Sequence, residues 1–225
     1  MAEPVIDVIH SIERDLAARV GFYMHDTQTG EVIAYAADDR FPLNSTFKLL
    51  ACGALLHRVE NGNVSLADNV PLEDIETVDY SPAIEAYSRA ENLEVSLGIS
   101  CSMMLSVSDN TAGNIVLSAL GGPEALTAFL RSTGDQVTRL DRWEAELNSA
   151  VPGDLRDTTT PRVIAQTIQN LILRNALEPA SRATLRAWLA DIVLPMPCFV
   201  PHFHRIGRST IEQAQVAMDL DQLSP

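Results

Sequence analysis

The stretch FPLNSTFKLL, residues 41–50, holds Ser45 and, three places on, Lys48, the only lysine in a chain of 225 residues. All the other basic residues among its 16 Lys and Arg are arginine. An ammonium can shed its proton when desolvated and a guanidinium cannot, so a single amine kept among arginines points to proton chemistry. The spacing predicts a helix from about 45 to 60 that carries Ser45 and Lys48 on one face. A hydroxyl beside a deprotonatable amine is an activated nucleophile. Serine-x-x-lysine is common by chance at average residue usage, and a surface serine near a helix start is its plainer reading. What surrounds it decides between the two.

Outward from this stretch, the composition is that of a globular chain, 46% apolar and with a net charge of −14. That acidity argues against nucleic acid as a partner, because phosphates demand a basic surface. No apolar run approaches the roughly 18 residues that would cross a membrane. The start, MAEPVIDVIHSIERDL, lacks the charged and apolar regions of a signal peptide and reads like a processed N-terminus with an added methionine. Apolar spacing predicts a helix over 3–18. RVGFYMHDT and EVIAYAAD, split by Gln28-Thr29-Gly30, predict a β-hairpin. Further helices are expected at about 109–120, 123–133, 161–174 and 179–190. Only one hairpin's worth of strand is expected. Residues 134–160 lack periodicity and form a long loop, and long ordered loops are usually functional.

Several motifs follow Ser45 in order: VDYSP (78–82), SDNTAGN (108–114), LDRWEAELN (140–148) and PGDLRDTTTP (152–161). Each has a bland reading. Ser108, Asp109 and Asn110 are favoured helix caps, and Glu144 with Asn148 could be a solvated acidic loop. Arg142 and Asp157 suit an ion pair closing the loop's neck. Taken together with RFPLNSTFK (40–48), they resemble the class A serine β-lactamases, whose S-x-x-K and S-D-N motifs are shared here. The wording around Ser45 and the GDLRDTTTP run look most like the carbenicillin-hydrolysing branch.

That resemblance implies an α+β fold of the serine β-lactamase/transpeptidase type, with a helical domain packed on an α/β sheet domain that is incomplete here. Residues 2–190 would be the β-lactamase domain: 2–43 part of its α/β portion, 44–190 mainly helical, with an Ω-type loop at about 139–157. It implies Ser45 as nucleophile, Lys48 as its amine, Ser108 as a proton relay, and Glu144 with Asn148 holding a hydrolytic water. Asn110 and Tyr80 would bind substrate, a small β-lactam. Cys52 and Cys101 match the family's disulfide pair, which fits an oxidising periplasm. A monomer without cofactor or metal is implied. Which of Lys48 and Glu144 acts as the acylation base is disputed for the family.

The chain also departs from the family. Ala145 stands where the family usually has proline in a cis peptide, so the sequence leaves that peptide open. The segment from Tyr80 to Cys101 is a few residues longer than usual. The largest departure follows residue 190, where the family's [KR]-[ST]-G motif, further strands and closing helix are missing and 191–225 forms an aberrant tail. Read one register out with permissible codons, Met196–Asp221 yields a string containing RTGAGGYGSR, which has the missing motif. The expectation is a frameshift, which makes Cys198, His202 and His204 accidental rather than zinc ligands. Poor folding and weak or absent penicillin hydrolysis are expected. The alternatives are a DD-peptidase or penicillin-binding module acylated without turnover, and a non-catalytic remnant.

Overall fold

The computed structural model describes residues 2–190 and 215–218. The chain opens with helix α1 (Ala2–Leu16) and an antiparallel hairpin, β1 (Val20–His25) and β2 (Val32–Tyr35), in the register Phe22↔Tyr35. Ile9 of α1 packs on Val20, Phe22 and Ile33, a small apolar cluster on one face of the hairpin. On the other face β1 runs so close to its neighbours that a Cβ on Gly21 would lie 2.3 Å from the Phe41 ring and 2.7 Å from Pro161. Only glycine fits there.

Next come β3 (Phe41–Pro42), a 3-10 turn over Asn44–Thr46, and helix α2 (Phe47–Glu60). Then follow β4 (Asn69–Pro71), a 3-10 turn over Leu72–Asp74, α3 (Pro82–Arg89), β5 (Glu94–Ser96) and α4 (Leu97–Ser106). Helices α5 (Asn110–Leu120) and α6 (Pro123–Ser132) lead into the long loop, which carries a 3-10 turn at Glu146–Asn148 and ends in β6 (Thr158–Thr159). Helices α7 (Pro161–Ile172) and α8 (Pro179–Ala190) follow, and strand β7 (Gln215–Met218) pairs antiparallel with β1. The fold is α+β.

The helices pack around α2, which is buried along almost its whole length: Phe47, Leu50, Ala51, Leu55 and Leu56 are all core. Such a helix shows little amphipathic stripe, because its environment is apolar all round. Its neighbours α4, α5, α7 and α8 contribute Met104, Ile115, Ile164 and Leu185. Each fully buried side chain of this kind adds about 1.5–3 kcal/mol over an exposed one.

Every expected helix is present within two residues at most of its ends, and three expectations need correction. Ser45 lies on the 3-10 turn before α2, not in the α-helix itself. Strand is more plentiful than one hairpin: the sheet order is β2-β1-β7, and β3-β6 and β4-β5 form two further ladders. These ladders span two or three residues, too short to show a period. The expected Cys52–Cys101 disulfide is not formed. Both are fully buried free thiols, and Cys52 Sγ donates to the Cys101 carbonyl at 3.9 Å. Burial pushes the Cys52 thiol up, and α2 and α4 are joined there by apolar packing. Of the tail only Gln215–Met218, as β7, is described, and the readings of Cys198, His202 and His204 fall outside the described residues. Among those described, no helix is long and apolar enough to cross a membrane.

Candidate active site

The turn that carries Ser45 is preceded by Asn44 at φ +44°, a left-handed conformation that asparagine tolerates better than most residues. Ser45 is left exposed at the start of α2, and one turn on, Lys48 points into the protein at 1% exposure. Lys48 Nζ donates to the Ser108 carbonyl and to Asn110 Oδ1, both at 2.6 Å. It also reaches Ser108 Oγ at 3.1 Å and Ser45 Oγ at 3.3 Å. Ser108 Oγ in turn donates to Ser45 Oγ at 2.8 Å. Two hydroxyls and one amine thus form a closed ring through which a proton can move. Burial draws the Lys48 amine below its ordinary range, against the opposing pull of Glu144 and Asp109. Desolvation wins, so this amine gives up its proton more readily than a surface lysine.

Glu144 arrives from the long loop. Its Oε1 faces Lys48 Nζ at 3.3 Å, yet is buried without a hydrogen-bond partner. Its Oε2 accepts from Asn148 Nδ2 at 2.7 Å. The Glu144–Ala145 peptide is cis, which answers the question the sequence left open. Asn148 also donates to the Ala145 carbonyl at 3.2 Å.

The neck of the loop is closed as expected. Arg142 Nε meets Asp157 Oδ2 at 2.5 Å, and Asp157 Oδ1 accepts the amides of Asp141 and Arg142 at 2.7 and 3.0 Å. The Asp157 carbonyl accepts the Leu43 amide at 2.7 Å, which ties the loop to the segment that leads into Ser45. Asn110 holds its own loop: its amide donates to the Tyr80 carbonyl at 3.0 Å and its Nδ2 to the Asp79 carbonyl at 2.9 Å. Tyr80 is mostly exposed, with φ +60°. Ser45, Lys48, Ser108, Asn110, Glu144 and Asn148 therefore meet at one place, with Tyr80 joined to it through Asn110. Cys52 and Cys101 lie in the core and Arg142 with Asp157 at the loop's neck.

A sequence model of the β-lactamase enzyme family matches residues 4–196, most of the chain. The chain belongs to that family. Among its relatives is the β-lactamase CARB-3 of Pseudomonas aeruginosa, 44% identical over 183 residues, which are 81% of this chain and 62% of that protein. The chain thus spans 62% of the length of this curated relative. An ancestral class A β-lactamase of Gram-negative bacteria superposes with a TM-score of 0.78 at 47% identity, over 84% of this chain and 72% of that one. A β-lactamase from Desulfarculus baarsii gives 0.80 at 38% identity, over 87% and 72%. The carbenicillin-type resemblance agrees with these matches.

One residue of this β-lactamase family site, Asn114, had no role in the sequence reading, and a second, Asp109, appeared there only as a helix cap. Asn114, four residues after Asn110, grips the backbone of Glu144 from both sides: its Nδ2 donates to the Glu144 carbonyl at 2.9 Å and its Oδ1 accepts the Glu144 amide at 3.0 Å. Asp109 is fully buried, and its carboxylate accepts the amides of Ala83, Ile84 and Ala112 at 2.9–3.0 Å. It thereby satisfies the first turns of α3 and α5 at once, where a negative charge is favoured. Both lie inside the SDNTAGN motif. The helix-cap reading of that motif holds for Asp109 alongside the functional reading of its neighbours.

Proposed function

We propose that this chain descends from, and retains the chemical centre of, a class A enzyme that opens the β-lactam ring of penicillins through a serine acyl-enzyme. Ser45 attacks the strained lactam carbonyl while its proton passes to Lys48, and Ser108 delivers a proton to the lactam nitrogen as the ring C–N bond breaks. Glu144 and Asn148 then hold and activate a water that attacks the ester and frees Ser45. Asn110 and Tyr80 contact the substrate's side chain. Residues 2–190 are the family's domain, with the cleft between its 2–43 and 44–190 portions, a frequent location for pockets. A monomer in the periplasm is the expected setting.

The observation that carries this reading is the position of Lys48 Nζ, 3.3 Å from both Ser45 Oγ and Glu144 Oε1. It is the meeting point of an acylation group and a deacylation group. A DD-peptidase or a module that is acylated without turnover needs the first and not the second. The buried Glu144 carboxylate, held by Asn148 and facing Lys48, supplies the second and favours a hydrolase.

Turnover by the chain as written is weak. No [KR]-[ST]-G follows residue 190 in the sequence, and the loss of one oxyanion donor alone costs about 100- to 1000-fold in rate. Incubation of the purified chain with a chromogenic β-lactam tests both parts. Slow but Ser45-dependent colour is expected. Turnover equal to that of full-length relatives would refute the impairment, and colour that survives Ser45→Ala would refute the mechanism.

A further inference from the structure

Ser81 precedes the first turn of α3, a place where a serine hydroxyl ordinarily accepts the helix's free amides. Here it caps nothing: the amides of Ala83 and Ile84 donate to Asp109 Oδ2 instead, at 2.9 and 3.0 Å. The Ser81 hydroxyl turns toward α5. It lies 2.6 Å from Thr111 Oγ1, accepts the Thr111 amide at 3.1 Å and donates to the Val78 carbonyl at 2.8 Å. The Val78 amide donates to Thr111 Oγ1 at 3.0 Å. Both residues are buried, Ser81 at 1% and Thr111 at 0% exposure, and no step of the proposed reaction uses either.

With the Ser81 proton on the Val78 carbonyl, the other protons have one placement. Thr111 gives its hydroxyl proton to Ser81 Oγ, and Thr111 Oγ1 accepts the Val78 amide. Both hydroxyls are thus satisfied out of reach of solvent, and each holds the backbone of the turn before α3. Asn110 holds the same turn at the Asp79 and Tyr80 carbonyls. Between these anchors Tyr80 sits at φ +60° and is 63% exposed. A left-handed backbone is unfavourable for a bulky residue and persists where its surroundings enforce it. The hydroxyl pair enforces it, through Val78 on one side of Tyr80 and Ser81 on the other.

We propose that Ser81 and Thr111 are positioning residues that hold Tyr80 in this conformation, and that they thereby set how strongly acylation of Ser45 depends on the side chain of the penicillin. The inference rests on the β-lactam reading above, in which Tyr80 and Asn110 contact that side chain. The pair acts at a distance from the reacting atoms. It touches neither Ser45 nor Lys48, and the nearest link runs through Asn110, whose Oδ1 accepts from Lys48 Nζ at 2.6 Å. Its effect therefore falls on recognition of the substrate rather than on proton transfer.

The test measures the rate of Ser45 adduct formation, by quenched intact-mass spectrometry, with benzylpenicillin and with the aminopenicillanic acid nucleus, which lacks the acyl side chain. Thr111→Val and Ser81→Ala are expected to slow benzylpenicillin about tenfold, as the loss of a buried hydrogen bond implies, and to leave the nucleus within about twofold of the parent. Thr111→Ser, which keeps the hydroxyl, is expected to match the parent with both. In a Tyr80→Ala background, Ser81→Ala is expected to cost nothing further, because the two changes remove one interaction. Should Thr111→Val not fold, Ser81→Ala, which adds no atom to the core, carries the comparison alone. Equal slowing of both substrates would reduce the pair to a structural role and overturn the proposal. So would full additivity with Tyr80→Ala, or a Thr111→Ser chain as slow as Thr111→Val. Each of these leaves the β-lactam reading standing, whereas a parent chain that forms no adduct with either compound would refute that reading and this inference with it.

Discussion

Replacing Glu144 by glutamine separates the two halves of the proposed chemistry. The exchange keeps the shape, and the new amide oxygen can still accept from Asn148 Nδ2, which now lies 2.7 Å from Oε2. The Asn114 clamp is on backbone atoms and is untouched. What changes is the oxygen facing Lys48 at 3.3 Å, where an amide NH₂ now meets the amine. Two donors in contact at a buried site favour loss of the lysine's proton, and the carboxylate that held the proton on is gone. Lys48, already lowered by burial against the pull of Glu144, falls further. Acylation of Ser45 therefore persists and its pH profile moves to lower pH. Deacylation loses its general base, worth about 100- to 10,000-fold, or roughly 3–5 kcal/mol in barrier. The assay is intact-mass spectrometry of the parent and Glu144→Gln chains, quenched at intervals after mixing with penicillin across pH 5–9. A long-lived adduct in the variant, formed at lower pH than in the parent, is the expected result. An adduct that decays equally fast in both chains would refute the role of Glu144 as base. A profile that moves to higher pH would refute its coupling to Lys48.

Three further outcomes are expected. Asn114→Ala leaves a backbone donor and acceptor of Glu144 without partners, at about 1–3 kcal/mol each; the adduct should outlive the parent's by at least tenfold while its formation rate changes little, and equal lifetimes would show that the clamp does not position Glu144. Ala36 sits at φ +43°, where a Cβ costs about 1–2 kcal/mol; Ala36→Gly should raise the urea midpoint, and a lowered midpoint would contradict this. The hydrogen bonds from the Arg156 side chain and amide hold the Asp154 carboxyl at about 2, below its ordinary value near 4. The contribution of a lowered carboxylate is complete above the unfolded value and is lost as pH falls through the folded one, so this part of the loop should loosen between about pH 4 and 2. Emission from Trp143, which lies in the same loop, should shift in that window, and a shift already complete at pH 5 would count against it.

Much of the site could be read from the sequence because its chemistry sits in contiguous motifs. Ser45 and Lys48 are one turn apart, Ser108 and Asn110 open a helix, and Glu144 and Asn148 flank a turn. The Arg142–Asp157 pair followed from opposite charges at the two ends of one loop. Helices with an apolar stripe were legible for the same local reason. What escaped depends on contacts distant in sequence. Helix α4 has Leu97, Cys101, Met104 and Leu105 at helical spacing, but Ile99 and Met103 add apolar residues on its other faces and blur the stripe, so its packing against α5 and α8 is what reveals it. Asn114 stood inside a quoted motif, but its role depends on Glu144, 30 residues away. The free thiols of Cys52 and Cys101 run against the family pattern, and nothing in their spacing gave notice of it.

The central claim is that Ser45, prepared by Lys48, is the group that attacks the lactam. It is tested most directly by mapping the penicillin adduct after tryptic digestion. Cleavage after Arg40 and Lys48 releases FPLNSTFK, the peptide that carries Ser45. The account predicts that this peptide alone gains the mass of the opened penicillin, and that Lys48→Arg abolishes the gain by replacing the amine with a cation that cannot release its proton. An unmodified Ser45 peptide, or equal labelling in the Lys48→Arg chain, would contradict it.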